Sequence, residues 1–223
     1  IGSGPGGYVA AIRASQLGMK TAVVEKAELG GVCLNWGCIP TKALLKSAQV
    51  FNYINHASDY GITLGGDAKP DFKAMVERSR SVAGGMSNGI QFLFKKNKID
   101  HIKGTGTVKP GKKVQVTDDK GKTTDYEAKH IIIATGARSK ELPNLKQDGK
   151  KIIGYREAMT LPKQPKSMVV VGSGAIGSEF AFFYNSIGTE VTLVEFMPTL
   201  VPLEDAEVAK QLERSFKKAK MKV

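Results

Sequence analysis

Cysteine is scarce in this chain: two residues in 223, beside three histidines and a single tryptophan. Two cysteines cannot supply the several cross-links of a small secreted disulfide scaffold. His56, His101 and His130 show no ligand spacing beside them, so a zinc-type centre lacks donors. Long apolar runs are missing as well. None approaches the roughly 20 residues that a bilayer-crossing helix needs, which excludes a helical membrane span. Acidic residues are few, 21 against 33 lysines and arginines, and the formal charge is +12. "FLFKKNKIDHIK" (92–103) and "LERSFKKAKMKV" (212–223) carry much of that excess. Their lysines are not interleaved with aromatic stacking residues, and no nucleic-acid motif accompanies them. They read as solvated surface rather than a nucleic-acid site.

Glycine, by contrast, is plentiful at 25 residues, and much of it falls in two clusters. "GSGPGGYVAAIRASQLGMKTAVVEK" begins at Gly2, and "GSGAIGSEFAFFYNSIGTEVTLVEF" begins at Gly172. Gly2, Gly4, Gly7, Gly18 and Glu25 match Gly172, Gly174, Gly177, Gly188 and Glu195, all at one offset of 170 positions. A single GxGxxG is a weak signal; two in register, each with its downstream acid, are a strong one. Each copy has the physics of a dinucleotide cradle. The first glycine allows a tight turn after a strand, the second lets a pyrophosphate approach the backbone, and the third lets the next helix lie close. The helix N-terminus then attracts phosphate. Glu25 and Glu195 end the following strands, where a carboxylate can accept from a ribose. Glu195 would repel a 2′-phosphate, and no lysine or arginine follows it before Lys210, which favours NAD over NADP.

The rest of the chain fits an α/β fold of two such nucleotide folds. "SMVVV" (167–171) reads as a buried parallel strand. Residues 40–57 and 71–99 read as helices, the second interrupted at Gly84-Gly85. The stretch from Gly104 to Ala137 reads as a small antiparallel meander closing on a buried strand, Ile131 to Ala134. The expected boundaries are 1–143 for the first domain and 144–223 for the second. No strand precedes the Gly2 loop, so the chain is expected to start at the end of its own first strand.

The two cysteines stand five apart in "GGVCLNWGCIPTK" (30–42). A staple over so short a loop would stabilise little, and a pair of buried thiols is also compatible with the spacing. The surroundings favour redox work. Cys33 follows Glu25 by eight residues, at the sheet edge where nucleotides collect, and both cysteines lie near a helix start that favours thiolates. A regular helix would hold them slightly too far apart to bridge, so Gly37 and Pro40 are expected to distort the turn.

"GGVCLNWGCIPTKALL" closely resembles the redox segment of the flavin-dependent pyridine nucleotide–disulfide oxidoreductases, most of all their dihydrolipoamide dehydrogenase branch. Trp36 stands where valine is common. "IIIATGARSKELP" (131–143) resembles the family's segment that passes the flavin. The resemblance runs from Ile1 to about Pro202. It implies FAD in the first cradle, at Gly2, Gly4, Gly7 and Glu25 with Gly31, Thr135 and Gly136. It implies NAD in the second, at Gly172, Gly174, Gly177 and Glu195. It makes Cys38 the flavin-proximal thiolate and Cys33 the thiol that exchanges with a dithiol substrate, joined as a disulfide when oxidised. Lys42 would pair with Glu179 near the flavin ring. Implied partners are dihydrolipoyl groups of 2-oxo acid dehydrogenase complexes or the glycine cleavage system, and a second copy in a homodimer. The implied compartment is a bacterial cytoplasm or a mitochondrial matrix. The family's acid–base histidine and dimerisation domain would lie beyond Val223, with the second nucleotide domain cut short, so this stretch alone should catalyse poorly. Alternatives are another flavin disulfide reductase, acting on glutathione or mercuric ion, and a non-catalytic nucleotide-binding fragment.

Overall fold

Val23 and Val24 point to opposite faces of one strand, and each face is covered by a different layer. The computed structural model describes residues 1–223. Its elements are α1 (Pro5–Gln16), β1 (Ala22–Glu25), α2 (Gly31–Trp36), α3 (Cys38–Asn55), α4 (Phe72–Lys96), β2 (Asp100–Lys103) and the strands β3 (Thr105–Lys109), β4 (Lys113–Thr117) and β5 (Thr123–Glu127). There follow α5 (Tyr155–Met159), β6 (Ser167–Val171), α6 (Ala175–Ser186), β7 (Glu190–Val194) and α7 (Ala206–Lys218). The chain divides into two compact units, residues 1–40 with 80–146, and residues 41–79 with 147–223.

In the first unit β1 and β2 pair in parallel, Ala22 opposite Asp100. Val23 packs with Ala11 of α1, Leu34 of α2 and Ile90 and Phe94 of α4. Val24 turns the other way, onto Val114 and Val116 of the meander. That meander is antiparallel in the order β3-β4-β5, as its Pro-Gly and Lys-Gly turns imply.

The second unit is built on β6 and β7, also parallel. Phe180, Phe183 and Tyr184 of α6 pack with Val191 and Leu193 of β7, Met159 of α5 and Phe216 of α7. Leu44 and Ala48 of α3 and Phe72 of α4 complete this core, which is why residues 41–79 group with the second unit. Leu44 and Tyr184 are fully buried; each such side chain contributes about 2 kcal/mol of apolar transfer. Asp205 caps α7, its carboxylate accepting from the amides of Glu207 and Val208.

Three expectations are corrected. α4 runs unbroken through Gly84 and Gly85. Two helical glycines cost about 1 kcal/mol each, and the burial of Ala83, Ile90 and Phe94 outweighs that. Residues 131–134 form no strand, and Ile132 and Ile133 are exposed. The Ile1 amine donates to Ile132 O at 2.7 Å and Ala134 N donates to Ile1 O at 2.8 Å, and no further ladder forms. β6 is not buried throughout either; it alternates, with Met168 and Val170 toward the core and Val169 and Val171 exposed.

Candidate functional site

Both glycine loops close in one way. Gly2 N donates to Val24 O and Gly172 N donates to Val194 O, each at 2.8 Å, so each loop starts at the same height beside the strand that follows its helix. Gly2 and Gly172 have φ of 94° and 97°, in the left-handed region that favours glycine. A Cβ built on Gly7 would stand 1.9 Å from Gly2 O, and one on Gly177 would stand 1.9 Å from Gly172 O. The third glycine of each motif is therefore obligatory for helix packing. Gly174 has open space, with nothing within 4 Å of a Cβ built there, ahead of the N-terminus of α6. An approaching pyrophosphate fits such a gap.

Sequence reasoning passed over one residue in each loop. Ser3 and Ser173 are fully buried, and each donates twice to the acid ending the next strand. Ser3 N and Oγ reach Glu25 Oε2 at 2.9 and 2.8 Å, while Ala27 N reaches Oε1 at 2.9 Å. Ser173 N and Oγ reach Glu195 Oε2 at 2.8 and 2.7 Å, while Met197 N reaches Oε1 at 2.9 Å. The signal was available, since both serines obey the 170-position repeat. Burial raises the Glu25 pKa, but the amides of Ala27 and Ser3 and the Ser3 hydroxyl outweigh it, and the net shift is downward. The Met197 amide and the Ser173 hydroxyl and amide lower Glu195 to about 2. Three of roughly four acceptor positions on each carboxylate are used, leaving one on Oε1 for a ribose hydroxyl.

The first loop receives the cysteine segment. Gly30 N donates to Ser3 O at 3.0 Å, and a Cβ on Gly31 would lie 2.6 Å from Gly4 Cα. Gly31 (φ 61°) then opens α2, which carries Cys33 half-buried against the Ile90–Phe94 core. Gly37, at φ −146° and ψ −116°, breaks the chain between α2 and α3. Cys38 is the exposed first residue of α3, with Pro40 in the first turn. Cys33 and Cys38 lie on separate helices joined by one glycine. The expected distortion thus takes the form of a break at Gly37. Thr135 and Gly136 follow Ala134, whose carbonyl oxygen would be 2.2 Å from a Cβ on Gly2. That contact brings them beside the first loop.

In the second unit Lys42 Nζ and Glu179 Oε1 form an ion pair. The lysine is 62% exposed and the carboxylate 29%, so the pair contributes little stability.

These elements find counterparts in known proteins. A profile described as "Pyridine nucleotide-disulphide oxidoreductase" matches residues 1–223. A dihydrolipoyl dehydrogenase from Rhizobium etli is 55% identical over 96% of this chain and 48% of its own length. A leghemoglobin reductase from Vigna unguiculata is 46% identical over all of this chain and 43% of its own length. The crystal structure of LpdA from Mycobacterium tuberculosis superposes with a TM-score of 0.89 at 27% identity, over all of this chain and 49% of that one. The chain thus spans about half the length of the curated relatives it matches. Dihydrolipoyl dehydrogenases use FAD and NAD, and the two glycine cradles fit those groups. With two dinucleotide loops in register and a paired-cysteine segment seated against the first, the chain belongs to the pyridine nucleotide-disulphide oxidoreductase family.

Proposed function

We propose that this chain carries the nucleotide cradles and the redox thiols of a dihydrolipoamide dehydrogenase. The observation that carries this reading is the contact of Gly31 with Gly4. It seats the segment bearing Cys33 and Cys38 against the loop that cradles the first dinucleotide. High identity to dihydrolipoyl dehydrogenases across the whole chain supports the substrate class.

In the reaction, a thiolate of a dihydrolipoyl group attacks Cys33 Sγ of the oxidised pair and releases the Cys38 thiolate. The second substrate thiol then attacks the mixed disulfide at the substrate's own sulfur and releases Cys33. The substrate leaves as a cyclic disulfide, two electrons and two protons poorer, and the cysteines hold the electron pair as a dithiol. The first cradle would hold FAD and the second NAD, and those groups would supply the redox chemistry that returns the cysteines to the disulfide. The chain's own residues orient these parts. Gly4 and Gly174 leave room for the pyrophosphates, Glu25 and Glu195 offer an acceptor to the ribose, and the α1 and α6 N-termini favour the phosphates. Lys42, paired with Glu179, would supply a cation to a flavin held in the first cradle.

The proposed cofactor of the second cradle is NAD rather than NADP, since the Glu195 carboxylate is held ionised there. Proposed partners are lipoyl-bearing complexes and a second copy of the protein. No helix is long and apolar enough to cross a membrane. A bacterial cytoplasm is the preferred compartment; relatives that are 44% identical are named as mitochondrial.

The test is spectroscopic. The full protein should be yellow and develop a long-wavelength thiolate-to-flavin band on two-electron reduction. It should reduce lipoamide with NADH faster than oxidised glutathione or mercuric ion, and faster than with NADPH. A colourless protein that stays so after incubation with FAD would overturn the proposal.

A further inference from the structure

α2 is six residues long, too short to be stable by its own hydrogen bonds, so its position has to be imposed from outside. The imposing groups come from α4. Asn35, buried at the C-terminal end of α2, donates through Nδ2 to Leu29 O at 2.8 Å and to Gly31 O at 3.1 Å. Its Oδ1 accepts from Ser87 Oγ at 2.7 Å, and that hydroxyl also reaches Leu29 O at 2.8 Å. Seven residues earlier on α4, two turns along the same face, Arg80 Nη2 donates to the Asn35 carbonyl at 2.6 Å. Its guanidinium lies 4.6 Å from the centroid of the Trp36 ring. Burial lowers the Arg80 pKa while the charge of Glu28 raises it, so the cation is held in partly dry surroundings where a π face and a carbonyl dipole count for more than in water.

Arg80 is stacked upon Trp36. The pair stands immediately before Gly37, the one residue between the helix of Cys33 and the helix of Cys38. A bridge requires the two Cβ atoms about 3.5–4.5 Å apart. With a glycine as the joint, that separation depends on where α2 is fastened. We propose that Arg80, acting through Trp36 and the Asn35 carbonyl, is a positioning residue that fixes α2 relative to Cys38 and so sets the equilibrium between the disulfide and dithiol forms of the pair. Loosening the clamp frees Cys33 and disfavours the bridged form, making the pair easier to reduce. The inference rests on the redox reading of the two cysteines.

The test is direct because Lys26 and Lys42 bracket both cysteines with no other lysine or arginine between them. The protein is equilibrated in buffers of reduced and oxidised dithiothreitol. There the protein disulfide and reduced dithiothreitol exchange for the protein dithiol and cyclic dithiothreitol, with two electrons and two protons passing to the cysteines. Acid quenching, alkylation and tryptic cleavage then release residues 27–42 as one peptide, whose mass reports its oxidation state. Arg80→Met should shift the equilibrium toward the dithiol by about tenfold, equivalent to about 30 mV for a two-electron couple. Arg80→Lys, which keeps the charge but loses the flat fork, should fall between, and Trp36→Phe should shift it in the same direction. Lower melting temperatures with an unchanged equilibrium in all three variants would show a merely structural clamp and overturn the inference. Since each variant is read separately, failure of Arg80→Met to fold leaves the other two to decide. If the wild-type peptide stays a dithiol at the most oxidising end, the redox reading itself falls, and this inference with it.

Discussion

Glu25 and Glu195 stand 170 positions apart and are held by the same three hydrogen bonds: two from a buried serine in the glycine loop and one from the amide two residues on. Each bond favours the charged carboxylate, so folding lowers both pKa values. A folded pKa below the unfolded one adds stability that is fully present above the unfolded value. That stability is lost as pH falls through the folded value. For Glu195 the window runs from the usual carboxylate range near 4.5 down to about 2. Urea unfolding at pH 7 and pH 3 should therefore show a greater acid loss in the wild type than in Glu195→Gln, moderated by the solvent exposure of the carboxylate. An equal loss in both would show that the Ser173 contacts do not distinguish the ionised form.

The glycines of the second cradle separate packing from binding. Gly177→Ala would drive a methyl to 1.9 Å from Gly172 O, and backbone cannot yield as a side-chain tip can. A loss of about 3 kcal/mol is expected in thermal or urea unfolding. Gly174→Ala meets nothing within 4 Å and has an ordinary φ of −61°, so its melting temperature should stay near wild type. Its methyl occupies the pyrophosphate approach, and NADH should bind about tenfold or more weakly by titration, a loss of at least 1.4 kcal/mol. Normal NADH affinity in that variant would move the nucleotide away from this loop.

Much of this was legible in the sequence because it obeys short-range rules. The two glycine loops, the terminal acids, the meander and the apolar faces of α3 and α4 follow from period and spacing alone. What escaped depends on tertiary partners. The residues from Ile131 to Ala134 have the composition of a buried strand, yet they form none and Ile132 and Ile133 are exposed. Gly84 and Gly85 carry an intrinsic penalty that buried neighbours overcome. Leu44 and Phe72 precede the expected 143/144 boundary in sequence but join the core of Phe183 and Tyr184, and spacing along a chain carries no record of such a contact. Ser3 and Ser173 were visible in the repeat, but their role needed the third dimension.

The Lys42–Glu179 pair separates stability from chemistry. With the lysine mostly exposed, Lys42→Met should cost no more than about 1 kcal/mol in unfolding measurements. If the cation stabilises charge developing on the flavin, the same substitution should lower kcat by about tenfold or more, with FAD content unchanged. Glu179→Gln should retain more activity than Lys42→Met, because it leaves the cation in place. A Lys42→Met enzyme with wild-type kcat would reduce the pair to a surface contact.

Gly84 and Gly85 offer the converse case, substitutions that strengthen the fold. Both are exposed on α4, and a Cβ on either meets nothing within 4 Å. Neither has a positive φ, so alanine is free to adopt the backbone already present. Each replacement should raise stability by about 1 kcal/mol through a smaller loss of chain entropy on folding. The two gains should differ little from additive, since neither side chain would touch a shared partner. Urea midpoints of the single and double variants would check this. If the double variant were less stable than wild type, α4 would need its glycines for bending or close approach, and the reading of it as one continuous helix carried by Ile90 and Phe94 would fail.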